Sequence, residues 1–172
     1  LINSQRNIDT RWVFNVAPYL RFRYKFSKTR NMNVDYRGNA SEPSISQLQP
    51  VADMSNPLRI VIGNPELKPS FNHNIRVRFS DFNVEAQRSI MMMANVGMTQ
   101  NSIVSNTQFN RETGGQITTY ENVNGNWNAN MFGMISLPFR NKNWQFNGNL
   151  FARYSQAIGF NNGERSRSNS FN

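Results

Sequence analysis

The chain has 172 residues, 38% apolar and 12% aromatic, with no cysteine and a formal charge of +9 from 19 Lys and Arg against 10 Asp and Glu. That length suits one ordinary domain, the 13 Phe argue against disorder, and the lack of cysteine excludes disulfides and thiolate metal sites. No run approaches the roughly 20 apolar residues of a transmembrane helix, so with a mean hydropathy of −0.63 the apolar content must lie in a pattern.

The opening "LINSQRNIDT" has no cationic start followed by an apolar stretch and no initiator Met, which points to a section of a longer chain with its targeting segment upstream. "RWVFNVAPYLRFRYKF" (11–26) then alternates. Trp12, Phe14, Val16, Leu20, Phe22, Tyr24 and Phe26 fall on one face, and Arg11, Arg21, Arg23 and Lys25 on the other. A period of two predicts a strand over about 10–26, with Pro18 marking a bulge or a locally broken pairing. After a turn at 27–29, Met32, Val34 and Tyr36 define a second strand at 30–37.

Residues 38–70 read as one long irregular loop holding Pro43, Pro50, Pro57, Pro65 and Pro69, with Asn-Pro turn signals at 56–57 and 64–65. A loop of that length inside a compact domain is uncommon and usually functional. Alternation resumes at 71–80, with Phe71, Ile75, Val77 and Phe79 opposite Asn72, Asn74, Arg76 and Arg78. A link at 81–87 leads to a strand over 88–109, its even face carrying Ile90, Met92, Ala94, Val96 and Met98. Residues 110–115 form a polar tip, and the return strand, about 116–138, carries Val123, Trp127, Ala129, Met131, Gly133, Ile135 and Leu137 on one face. A turn at 140–143 precedes the last strand, 144–157, where Trp144, Phe146, Leu150, Ala152 and Tyr154 alternate with polar residues; the remaining tail reads as a polar loop.

Antiparallel succession puts the short turns (27–29, 81–87, 140–143) at one end and the longer connections (38–70, 110–115) at the other. Short periplasmic turns and long extracellular loops are the layout of an outer-membrane barrel, whose tilted strands need roughly 9–11 residues to cross the hydrocarbon. The apolar faces place Trp12, Phe26, Tyr36, Trp144 and Tyr154 near strand ends and smaller residues between them, as interfacial girdles require. The expected fold is therefore all-β, an antiparallel up-and-down transmembrane segment of about six long strands, fewer than the eight of the smallest common barrel. Open edges are not tolerated in lipid, so further strands are expected outside this chain.

The stretch "YRGNASEPSISQLQPVADMSNPLRIVIGNPELKPSFNHN" (36–74) resembles the outer-membrane β-barrel family common in Bacteroidota, within the TonB-dependent receptor superfamily. The matching pieces are Pro43-Ser44, Gln47-Leu48-Gln49-Pro50, Ser55-Asn56-Pro57-Leu58 and Gly63-Asn64-Pro65-Glu66-Leu67-Lys68-Pro69, with Ser70 replacing the usual acidic residue. The resemblance implies a barrel of about 22 strands around a plug, with outer-membrane lipid, the plug domain, the remaining strands, TonB and a surface lipoprotein as partners. It implies an outer-membrane receptor or transporter for an unidentified solute. The proline-rich motif itself reads as a device that sets the register of the strand after it, with 41–62 better placed to touch a solute.

No residue pattern calls for catalysis, a cofactor or a metal. His73 is the sole histidine and reads as a lumen or rim side chain rather than a ligand. The acids Asp9, Asp35, Glu42, Asp53, Glu66 and Asp81 are expected in loops or at strand ends, and Met91–Met93 as strand filling on both faces. Arg21, Arg23, Lys25, Arg76, Arg78, Arg88 and Arg153 are expected on the polar face. There they form either a cationic lumen wall that favours anionic solute or the partners of an acidic plug. The competing functions are a soluble basic β-domain binding nucleic acid and a secreted β-structured adhesin or assembly subunit. Nucleic-acid binding would need aromatics and Arg on one face, and here they segregate.

Overall fold

A computed structural model describes residues 15–53, 56–139 and 143–172. Its elements in chain order are β1 (Tyr19–Lys25), β2 (Arg30–Ser41), α1 (Ile45–Leu48), β3 (Arg59–Val61), β4 (Ser70–Asn83), β5 (Arg88–Gln100), β6 (Ser102–Phe109), β7 (Gln116–Val123), β8 (Asn126–Pro138), β9 (Gln145–Asn161) and β10 (Glu164–Phe171). They form two sheets. A seven-stranded wall runs β1-β2-β4-β5-β8-β9-β10, and a three-stranded arm runs β3-β7-β6. Every pairing in the wall is antiparallel. Among the described residues the wall is open, with β1 and β10 each presenting one unpaired edge.

The register carries the alternation of each strand across the whole wall. One row reads Leu20, Tyr36, Ile75, Val96, Ala129, Tyr154 and Phe171, all directly opposed. The next reads Phe22, Val34, Val77, Ala94, Met131 and Ala152, and the third Tyr24, Met32, Phe79, Met92, Gly133 and Leu150. Because a slip of one residue would exchange the faces of a strand, these rows fix the register. The opposite face carries Arg21, Asp35, Arg76, Asn95, Asn130 and Arg153 in one row. β4, β5 and β8 have 14, 13 and 13 residues, enough to cross a hydrocarbon layer at the usual tilt.

The apolar face is left uncovered. Leu20 is 67% exposed, Phe22 56%, Met92 44% and Leu150 56%. The buried hydrophobic side chains among the described residues are Leu67, Val123 and Ile158, all in the arm or at the end of the wall nearest it. The expected aromatic belt has Tyr36 and Tyr154 in one row, with Trp127 against Tyr154 at 4.7 Å between rings.

Several expected boundaries change, each for a local reason. The strand expected over 10–26 begins at Tyr19, just after Pro18, whose carbonyl accepts from the Gly38 N–H at 2.8 Å. Residues 10–14 lie outside the described part. The strand expected over 88–109 is two, parted at Asn101, which has φ of 50°. The one expected over 116–138 is likewise divided at Asn124-Gly125, with Gly125 at φ of 110°. These breaks turn β6 and β7 out of the wall. The 38–70 loop is partly ordered: β2 extends to Ser41, α1 and β3 follow, and β3 adds to β7 in parallel. The tail is β10, joined to β9 through Asn162 and Gly163 at φ of 50° and 84°, the left-handed pair of a tight hairpin turn. β9 runs past its last partner on β8, Trp127 opposite Gln156, and its end lies against β6, with Ile158 buried there.

Candidate functional site

The proline-rich motif folds on itself. Ser44 caps α1 by accepting from the Gln47 N–H, while Gln47 Oε1 accepts from Ser44 N–H at 2.9 Å, a reciprocal capping box. The Gln47 and Gln49 carbonyls accept from the N–H groups of Asn64 and Gly63, at 2.6 and 3.0 Å. Gln47-Leu48-Gln49-Pro50 and Gly63-Asn64 thus meet backbone to backbone. Gly63 is required by that approach, since a Cβ there would lie 2.4 Å from the Gln49 carbonyl oxygen.

Asn56 caps its own Asn-Pro turn by accepting from Leu58 N–H at 3.0 Å; Ser55, of the same motif, lies outside the described residues. Asn64 accepts from Glu66 N–H across Pro65 and donates to the Tyr120 carbonyl at 3.0 Å. Leu67 is 1% exposed. The Asn122 carboxamide accepts from Lys68 N–H at 2.8 Å and donates back to the Lys68 carbonyl at 2.9 Å, a two-point bond from side chain to backbone. Pro69 then leads into β4. The motif clasps the arm to the start of a wall strand.

The polar face holds most of the basic residues singled out by sequence. Arg21 donates to Asp35 at 2.6 Å, and Tyr19 Oη donates to the same Asp35 oxygen at 2.9 Å. Asp35 is therefore mid-strand on β2, not at a strand end as expected. Alternation allows this because Asp35 stands on the polar face between two arginine-bearing strands. Arg23 donates to Asn33 at 2.9 Å. Lys25 borders a recess with Lys28 and Asn31, Arg78 opposes Asn33 and Met93, and Arg153 opposes Asn130.

Arg88 departs from the expectation: its parity places it with Ile90 and Met92 on the apolar face. There it donates to Asp81 at 2.8 Å, beside Arg30 at 3.0 Å, and Asp81 is 1% exposed. The charge is admitted because Asp81 shares its carboxylate between two arginines from neighbouring strands at the short-turn rim. His73 also lies on the apolar face, its Nδ1 at 2.9 Å from Tyr36 Oη and its ring 4.8 Å from that of Phe71. Met91 and Met93 stand on the polar face, opposite Met134 and Phe132, while Met92 stands on the other.

Sequence reading missed an open groove of about 490 Å3 on the polar face, toward the long-loop end. Arg21, Asp35, Arg37, Arg76, Gly97 and Asn128 line it. Arg37 had escaped notice because its strand was expected to end there; the Arg37–Asn74–Gly97–Asn128 row shows it only once register is known.

A continuous antiparallel wall with one uncovered apolar face and one polar face is the construction of a membrane β-barrel protein. A sequence model of the outer membrane protein beta-barrel family matches residues 2–172. The chain belongs to that family, and its location is the outer membrane. No curated protein and no solved structure matches the chain.

Proposed function

We propose that this chain forms part of the wall of a TonB-dependent receptor of the kind common in Bacteroidota, a non-catalytic barrel that binds or passes a solute across the outer membrane. The observation that carries this reading is the pairing of an uncovered apolar face with a polar face that bears a groove. Lipid satisfies the first face, and an aqueous or plugged lumen satisfies the second. Further strands close the barrel, since an open edge in hydrocarbon leaves backbone groups unpaired. A plug domain fills the lumen, TonB supplies coupling, and a surface lipoprotein is a further partner at the long-loop end. Nucleic acid is not a partner in this reading, because the exposed aromatics and the arginines occupy opposite faces for most of the wall.

The full-length receptor tests it. The outer-membrane fraction is expected to contain a species whose gel mobility changes on boiling, and solute accumulation is expected to stop when the inner-membrane potential is dissipated. Accumulation that survives loss of the potential would remove the TonB-dependent part of the proposal and leave a passive barrel.

A further inference from the structure

The groove has a charge imbalance built into it. Arg21 and Tyr19 both bind Asp35, so that carboxylate is already committed to one guanidinium. Arg37 and Arg76 line the same groove with no carboxylate within ion-pairing distance among the described residues. Arg37 opposes Asn74 and Arg76 opposes Asp35, so the two cations rise from diagonal positions on adjacent strands, about 7–8 Å apart at the backbone. The Tyr19 ring holds Arg37 beside Arg21, the two guanidiniums 5.6 and 5.3 Å from its centroid. Around these charges stand carboxamides, among them Asn72, Asn74 and Asn128. Gly97 leaves the centre of the floor bare, since a Cβ there would come within 2.8 Å of the Asn128 side chain.

We infer that this groove binds a polyhydroxylated organic anion, of the sugar-acid class. Two guanidiniums on neighbouring strands, neither of them in a salt bridge among the described residues, recognise a carboxylate or phosphate by charge-assisted bonds. The surrounding amides supply the donors and acceptors that sugar hydroxyls require. The inference rests on the solute-handling reading above and adds the class of solute and the residues that choose it.

The test uses the full-length receptor in detergent and two probe pairs matched in shape: lactobionate against lactitol, and trigalacturonate against its methyl ester. Calorimetric titration is expected to show at least one acid bound about tenfold or more tighter than its neutral counterpart, with that affinity falling as salt rises. Arg37→Gln and Arg76→Gln are each expected to weaken the acid about tenfold, the worth of one charge-assisted bond. Gly97→Leu, which fills the floor without changing charge, is expected to remove binding. Arg111→Gln, a cation at the arm tip, is expected to leave affinity unchanged. Heat-modifiable gel mobility verifies that each variant is folded.

Equal affinity within both pairs, no binding of either acid at millimolar concentration, or indifference to both arginine variants overturns the inference. Uptake of a neutral solute alone would do the same while sparing the transport reading. Acid binding that depends on Arg37 and Arg76 without any uptake by cells upholds the site and removes the transport reading instead.

Discussion

The wall and the arm are built from the same material, amphipathic strands rich in Asn, Thr and aromatic residues, yet they satisfy their apolar side chains in different ways. The arm and its junction bury Leu67, Val123 and Ile158 against protein. The wall leaves whole rows such as Phe22, Val34, Val77, Ala94, Met131 and Ala152 facing outward on one side. A contiguous apolar face of that breadth is foreign to a monomeric soluble protein, and in an outer-membrane protein it is the surface that lipid completes. The comparison separates two sources of stability in one chain: solvent of the right kind for the wall, side-chain and backbone contacts for the arm.

Charge is the strongest way to break the comparison. Met131 in the wall is 37% exposed and Ile117 in the arm 46%, so accessibility alone ranks them as equally tolerant. Met131→Arg places a guanidinium in the central apolar row and is expected to cost ~2–4 kcal/mol if acyl chains lie there. Ile117→Arg is expected to stay within about 0.5 kcal/mol, as for an ordinary wet surface. Urea titration of the full-length barrel folded into phosphatidylcholine vesicles reads both. Equal small losses would mean that water, not lipid, lies against the wall.

Contacts are the way to break the arm without touching the wall. Gly63→Ala sets a methyl against the Gln49 backbone, 2.4 Å from its carbonyl oxygen and 2.7 Å from its nitrogen. Neither atom can rotate away, so the α1 turn and the segment after β3 must part, at about 1–3 kcal/mol. Asn122→Ala removes both bonds to Lys68 and a third to the Asn101 carbonyl at 2.7 Å. It is expected to cost about 1–2 kcal/mol, because water can reach this partly exposed junction and replace some of what is lost. In both variants hydrogen exchange is expected to quicken in β3, β7 and residues 63–69, while β5 and β8 keep their protection. Slower wall assembly in either variant would show that the clasp also guides the register of β4.

The same division governs how much was legible in the sequence. The wall could be read because lipid and water impose a strict period of two, and Val34, Val77, Ala94 and Met131 obey it strand by strand. The sorting of short turns to one end followed from the same alternation. Arg88 and His73 were misread because they interrupt an apolar face, and only a partner makes that tolerable: Asp81 for one, Tyr36 for the other. Neither partner is adjacent in sequence. The arm was hidden because the strand breaks at Asn101 and Asn124-Gly125 carry no proline or charged turn; the alternation already blurs beyond Thr99, but each pair of strands still read as one. β10 alternates Ser with Arg and Asn, has no apolar face to betray it, and was signalled only by Asn162-Gly163. The groove required register, which no single strand carries.

An effect no larger than that of either clasp variant bears on the place where wall and arm touch. Gly163 has φ of 84°, and a Cβ there would meet the flexible Gln108 side chain, its Nε2 3.2 Å away. Gln108 can move, so Gly163→Ala is opposed mainly by its own backbone, at about 1 kcal/mol. Its neighbour Asn162 accepts from the Phe109 N–H at 2.8 Å and so ties the β9–β10 turn to the tip of β6. If that tie is a local contact, exchange should quicken only in β10 and near Phe109, leaving the β8–β9 pairing as slow as before. If quickening spreads down β9 to Leu150, the turn is part of how the arm steadies the edge of the wall, and the two regions fold as one cooperative unit rather than two.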